Sequence, residues 1–92
     1  MSKITVDSTP SDALLKQMEV TNWPTWEKEV SVFPWEFTTT ETAFILEGEC
    51  VMTPEDGSES TTFTVGDLVV FPKGYKGTWE VKKPLKKHYQ HS

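Results

Sequence analysis

The sequence predicts an all-β protein, an antiparallel sandwich or barrel preceded by one short helix. Three observations predict it. From Trp26 onward, apolar and polar residues alternate with period two, as where Phe33, Trp35 and Phe37 are interleaved with Pro34, Glu36 and Thr38, which is the spacing of a strand with one buried face. Turn residues such as Asp56-Gly57, Gly66-Asp67 and Pro72-Lys73-Gly74 interrupt that pattern at intervals of about eight to twelve residues, too short for the helical crossovers of a parallel sheet. A third of the 36% apolar content is four Trp, five Phe and two Tyr, large flat side chains that suit a pleated, half-buried surface.

The elements follow in order. Thr9-Pro10-Ser11-Asp12 supplies a hydroxyl cap, a proline for the first turn and an acid near the helix start, and Ala13, Leu14, Leu15 and Met18 follow; these predict a helix over 10–18. Residues 1–8 read as an arm that pairs with a neighbouring subunit or frays. A β-barrel is expected over 23–91. Its strands begin at Trp26, cover Phe33 to Phe37, and run from Glu41 to Met52, where Pro54-Glu55-Asp56-Gly57 predicts a tight hairpin. The chain returns through Thr61, Phe63 and Val65, turns at Gly66-Asp67, and makes a short buried strand over Leu68 to Phe71. Tyr75 to Val81 and Leu85 to His91 read as two further strands separated at Pro84.

At 92 residues the chain is expected to be one domain with a modest core, for which a homodimer would bury further surface. Nine Lys face fourteen Asp and Glu, for a net charge of -5, and no Arg is present. Without the guanidinium fork, and with an acidic balance, nucleic acid is not an expected partner. No apolar run approaches the roughly 20 residues that span a bilayer, and residues 1–7 lack the apolar core of a secretory signal, so no membrane contact is expected. The single cysteine, Cys50, cannot form an intrachain disulfide; it reads as a small buried hydrophobe in a soluble, cytoplasmic protein. Lys73, Lys76, Lys82, Lys83, Lys86 and Lys87 crowd the last quarter, as a solvated strand edge guarded against aggregation or as a surface for an acidic partner.

Two passages carry the motif content. Glu41 is followed after six residues by Gly48, and Gly66 after five by Pro72 with Gly74 two further on. This skeleton, E-x6-G and G-x5-P-x-G, resembles the two motifs of the cupin superfamily, small jelly-roll barrels that usually hold a metal with three histidines and a glutamate. The resemblance implies a cupin-type antiparallel jelly-roll β-barrel. It places the first two histidine positions at Trp35 and Phe37, or at Pro34 and Glu36, and the third at Gly77. Of the implied ligands only Glu41, with Glu36 beside the motif, is an oxygen donor, so no metal and no cofactor are expected.

The chain also resembles a group of small single-domain cupins of unknown function, related to the cupin domain assigned to (S)-ureidoglycine aminohydrolase and to ethanolamine-utilisation cupins. The shared residues are Trp23-Pro24-Thr25-Trp26-Glu27-Lys28-Glu29-Val30-Ser31, Phe33-Pro34-Trp35, Glu41 through Gly48, Gly66 through Gly74, and Lys87-His88-Tyr89. The aminohydrolase name implies metal-assisted amidine hydrolysis, which this chain lacks the ligands to perform. Many relatives carry Cys at the positions of Ala43 and Gly77, and these small residues are expected to leave space beside Glu41.

Alternation selects the site candidates. Trp26, Lys28 and Val30 share one face, Phe33, Trp35 and Phe37 another, and Glu41, Ala43 and Ile45 a third. With those faces inward, Lys28 and Glu41 are ionisable groups inside an aromatic cup, as a ligand clamp or as a buried pair that sets strand register. The expected ligand-binding set is Lys28, Trp35, Glu36, Phe37, Glu41, Phe71 and Trp79, around a planar or sugar-like small molecule. A second reading is a small hydrolase or isomerase with Glu41 and Lys28 or His88 as acid and base. A third is a structural or regulatory dimer. Of His88 and Tyr89, alternation allows only one to face the interior.

Overall fold

The computed structural model describes residues 3–91. In chain order it contains β1 (Thr5–Asp7), α1 (Asp12–Gln17), a single 3-10 turn (Val20–Asn22), β2 (Thr25–Lys28), β3 (Ser31–Glu36), β4 (Glu41–Pro54), β5 (Thr61–Thr64), β6 (Leu68–Phe71) and β7 (Lys76–His91). All strand pairings are antiparallel. The helix starts at Asp12 rather than at Pro10, because Ser11 rather than Thr9 is the cap: its side chain accepts the Leu14 N–H at 3.1 Å. The expected arm is instead part of the protomer's own sheet, with Thr5, Val6 and Asp7 opposite Val70, Val69 and Leu68. Residues 1 and 2 of that arm lie outside the described residues.

One long bent sheet makes both layers. β4 pairs with β6 through Glu41 to Phe44, and with β5 through Glu49 to Met52. On β7, Leu85 to His88 pair with β2, whereas Lys76 to Val81 pair with β3. The pairing of β4 with β7 slips between Ile45 and Cys50, and at the same level the chain breaks between β2 and β3 at Glu29-Val30. One layer is therefore β1-β6-β4-β7-β2 and the other β5-β4-β7-β3, with β4 and β7 passing through the bend into both. Rings from the two layers meet across the interior: Phe71 and Trp79 have centroids 5.5 Å apart, Phe63 and Phe71 5.5 Å, and Trp26 and Trp79 6.0 Å.

Pro84 explains the bend and a departure from expectation. The sequence reads two strands separated there, yet β7 runs through. Proline donates no ladder hydrogen bond, and Pro84 falls where none is needed, between Lys83 and Lys86 on the β4 side and between Val81 and Leu85 on the other. Gly48 faces it with φ of 105°, and a Cβ there would stand 2.6 Å from the Pro84 carbonyl oxygen. The two strands can cross the bend in contact only because this residue has no side chain.

The motif glycines tie the corners. Gly66, with φ of 89°, donates its N–H to the Ile45 carbonyl at 2.9 Å, and the Asp67 carbonyl accepts the Ile45 N–H at 3.0 Å. The Asp67 carboxylate closes the corner by accepting the Thr64 N–H at 2.8 Å. Gly74 donates to the Phe37 carbonyl at 2.7 Å, and Phe37 donates to Tyr75 at 2.9 Å, which latches the second motif onto the end of β3. The expected tight hairpin is a longer connection: Asp56-Gly57 does turn, but the β4–β5 ladder resumes only at Met52 and Thr61. The lysine-rich segment is not a sheet edge, since β7 is paired on both sides.

Replacing Gly48 by Ala forces a β-carbon onto a backbone carbonyl at positive φ, and we expect a loss of more than about 2 kcal/mol in urea unfolding. Gly57→Ala serves as the comparison, since its φ of 82° is similar but a Cβ there meets nothing within 4 Å; it should cost less.

A candidate ligand cup over a buried ion pair

The site is built where the inner faces of the two layers meet. Leu85, Lys87, Tyr89 and His91 share one face of β7, and Glu41, Ala43 and Ile45 share the adjoining face of β4. Lys87 lies opposite Ile45 on β4 and opposite Trp26 on β2, so its side chain runs along the sheet toward Glu41. Its Nζ donates to Glu41 Oε2 at 2.5 Å, with only 5% and 6% of the two side chains exposed. From the facing layer come Trp79 on β7 and Trp35 on β3, a cross-strand neighbourhood set by Trp79 opposite Phe33 and Trp35 opposite Gly77.

Rings enclose the ammonium. Lys87 Nζ is 4.8 Å from the Trp79 ring centroid, 5.0 Å from Trp26, 5.4 Å from Phe71 and 5.8 Å from Tyr89, all within cation–π range. Above the pair is a cavity of about 170 Å³ lined by Trp26, Trp35, Glu41, Trp79, Lys87, Tyr89 and His91. Trp35 (43% exposed) and His91 stand at its rim. His91 shares a hydrogen bond with Thr39 Oγ1 through Nδ1 at 2.7 Å and holds Nε2 3.9 Å from Glu41 Oε1.

Electrostatics follow from burial. Loss of water pulls the Lys87 pKa below its usual value, against the opposing pull of the Glu41 charge and hydrogen bond. Burial also pushes the Cys50 thiol up to about 11, with a Trp79 contact opposing it, so Cys50 is an inert core residue, fully buried. The cup thus combines a floor of opposite charges summing to zero with apolar walls. Such a floor can donate and accept hydrogen bonds, and it can pass a proton between nitrogen and oxygen. A larger groove of about 1050 Å³ lies between β1 and the β4–β5 connection, but the charged side chains on it, Lys3, Glu55, Asp56, Glu59 and Lys76, are all exposed.

The structure brings together Trp35, Glu41 and Trp79 of the expected site, with Phe71 beneath the ammonium and Phe37 packed on Phe71 at 4.6 Å. It separates the rest. Lys28 shares the inward face of β2 with Trp26 but lies opposite Leu85, two positions further along; its Nζ is over the Phe33 ring at 5.1 Å and 3.8 Å from Glu29, so it is not the partner of Glu41. Glu36 alternates outward and is exposed. His88 also points away from the cup and binds the Trp23 carbonyl through Nδ1 at 3.0 Å, leaving Tyr89 as the inward residue. Gly77 opens no space beside Glu41, since a Cβ there would collide with the Thr53 carbonyl. Lys87, Trp26, Tyr89 and His91 complete the site. A lysine in step with Leu85 and Tyr89 on an alternating strand was the available signal for Lys87, masked by its place in a lysine-rich run.

The donor set does not fit the three-histidine, one-glutamate group that cupin motifs imply. Aromatic residues or Pro34 and Glu36 stand at the first two positions and Gly77 at the third, Glu41 is bound to Lys87, and among the described residues no three of His, Cys, Asp and Glu converge.

Lys87→Met leaves Glu41 buried without its cation and should cost about 3–5 kcal/mol, whereas replacing the pair with Lys87→Met and Glu41→Leu together should recover most of that loss. Chemical denaturation of the two single variants and the double variant measures the coupling.

Residues 15–89 match the EutQ-like cupin domain family. A DUF861-family protein of Thermotoga maritima is similar to this chain with 43% identity over 98% of this chain and 100% of its own, at a TM-score of 0.94. A protein of Salmonella typhimurium LT2, provisionally named an ethanolamine utilisation protein Q, shows 25% identity over 73% of this chain and 53% of its own, at a TM-score of 0.64. A DUF1255 protein of unknown function from Acidithiobacillus ferrooxidans, 22% identical over 70% of this chain and 60% of its own at a TM-score of 0.65, shares the fold. No curated protein matches the chain. With the jelly-roll sheet, both motifs at their corners and the family match over most of its length, the chain belongs to the EutQ-like cupin domain family.

Proposed function

We propose that this cupin binds a small, uncharged, oxygen-bearing molecule in the aromatic cup, without a metal. The observation that carries the reading is the Lys87–Glu41 pair, buried yet forming the floor of a cavity with an indole at its rim. An ammonium has three donors, and one goes to Glu41, which leaves capacity for a ligand carbonyl or hydroxyl oxygen. The neutral sum of the floor favours uncharged ligands over carboxylates, because an anion would face Glu41 as closely as Lys87. The cavity of about 170 Å³ holds the space of about five or six waters, the scale of a small amide, aldehyde or triose. The flat walls favour a planar face or the apolar face of a sugar.

Thermal unfolding against sugars, nucleobases, amides, aldehydes and small carboxylates tests this. A true ligand at 100 times its Kd stabilises by about 2.7 kcal/mol, an upward shift on the order of ten degrees. Trp35→Ala removes a half-exposed wall and should abolish the shift while changing the unliganded midpoint little. A panel in which no uncharged member shifts the midpoint refutes the reading.

A homodimer belongs to the same proposal. Among the described residues β3 pairs only with β7, and Val30 just before it and Val32 on it are 58% and 66% exposed, apolar surface of the kind that subunit contacts cover. Pro34 on this strand is suited to a sheet edge. Light scattering should give twice the 10.5 kDa chain mass, and Val32→Glu should give the single chain. The reduced, buried Cys50 supports a cytoplasmic setting.

A further inference from the structure

We propose that Lys87 is a nucleophile that captures a small aldehyde or ketone as a protonated Schiff base in the cup, an inference that rests on the cup being a ligand site. Among the nine lysines, Lys87 alone is buried, and its Nζ forms part of the wall of a cavity sized for a small molecule. Glu41 holds Nζ at hydrogen-bond distance, so the proton that blocks nucleophilic attack has an acceptor in place. In a water-poor site the neutral amine and carboxylic acid are a short proton transfer away from the ion pair.

The step balances without any further reactant. Lys87 passes a proton to Glu41, and the Nζ lone pair forms a bond to the carbonyl carbon while the C=O π pair moves to oxygen. Glu41 relays the ammonium proton to that oxygen, giving a carbinolamine. It then protonates the hydroxyl, which leaves as water as the nitrogen lone pair closes the C=N bond. The product is an iminium facing a carboxylate, with the same net charge as at the start. The faces of Trp26 and Trp79, 5.0 and 4.8 Å from Nζ, serve the iminium as they serve the ammonium, since both are cations centred on one atom. The other ionisable groups near Nζ are arranged away from its proton: the Cys50 thiol is pushed up to about 11 by burial, Tyr89 meets it with its ring, and His91 addresses the far oxygen of Glu41.

The test uses the folded protein at pH 7 with limiting propionaldehyde or hydroxyacetone and sodium cyanoborohydride, which reduces an iminium to a stable amine. Peptide mapping by mass spectrometry should place the adduct on Lys87 at least about tenfold faster than on exposed Lys82 or Lys83, because only Lys87 has a carboxylate in place to take up and return the proton. Labelling of Lys87 should also reach half its maximum at a lower pH than that of Lys82. Glu41→Gln, with its fold verified by circular dichroism, should lose the excess rate because an amide cannot relay the proton. Labelling of Lys87 no faster than Lys82 and Lys83 overturns the proposal. If the same carbonyl compounds raise the melting temperature without modifying Lys87, the cup binds them and only the covalent step is wrong. If they do neither, both the capture and the ligand reading fall for this class of compound.

Discussion

The rest of the structure depends on the bend shared by β4, β7 and the broken β2–β3 segment. Three strands change direction at one level, at Gly48, at Lys82 to Pro84 and at Glu29-Val30. A straight sheet of these lengths would expose one face of every strand. Folding it over gives the apolar faces each other as partners, so that Ile45, Val69, Phe71 and Leu85 of one layer enclose a common core with Cys50, Met52, Phe63, Trp79 and Val81 of the other. The physical requirement at the bend is local and severe: a left-handed backbone, no β-carbon and no ladder donor at the residue opposite. Gly48 and Pro84 meet it between them.

The bend also makes the cup. Lys87 and Glu41 belong to one layer and the walls at Trp35 and Trp79 to the other, so the ion pair lies under indoles only because the sheet doubles back. A pair so deprived of water gains little net stability, since the desolvation of both charges offsets most of their attraction. The surrounding rings and the mutual hydrogen bond make it tolerable. Apolar residues would fill a purely structural position as well; this pair instead lines the floor of the cavity. The ammonium of Lys87 stands against Glu41, the glutamate of the E-x6-G motif.

The legibility of the parts differed for physical reasons. Glu41 was readable because its place in the E-x6-G skeleton and its alternation with Ala43 and Ile45 both mark it as inward. Trp35 and Trp79 were readable as walls by the same period-two argument. The partner of Glu41 was not. Lys28 and Lys87 both sit on inward faces, and the choice between them depends on the register of β2 against β7, which puts Trp26 rather than Lys28 beside Lys87. Strand alternation reports which face a residue occupies and is silent about how far along the barrel it stands. Pro84 misled in the opposite direction, since a proline marks the end of a strand unless the ladder is already interrupted on both sides.

By itself, the sequence determined the all-β class, the jelly-roll corners and the inward carboxylate, because period-two alternation and glycine or proline chemistry are properties of neighbouring residues. Long-range packing settles that Lys87 meets Glu41, that Tyr89 rather than His88 faces the interior, and that the space beside Gly77 is taken by a passing backbone. Those outcomes are set by register across strands far apart in the chain and by the bend that brings the two layers together, and neither is encoded in any single stretch of residues.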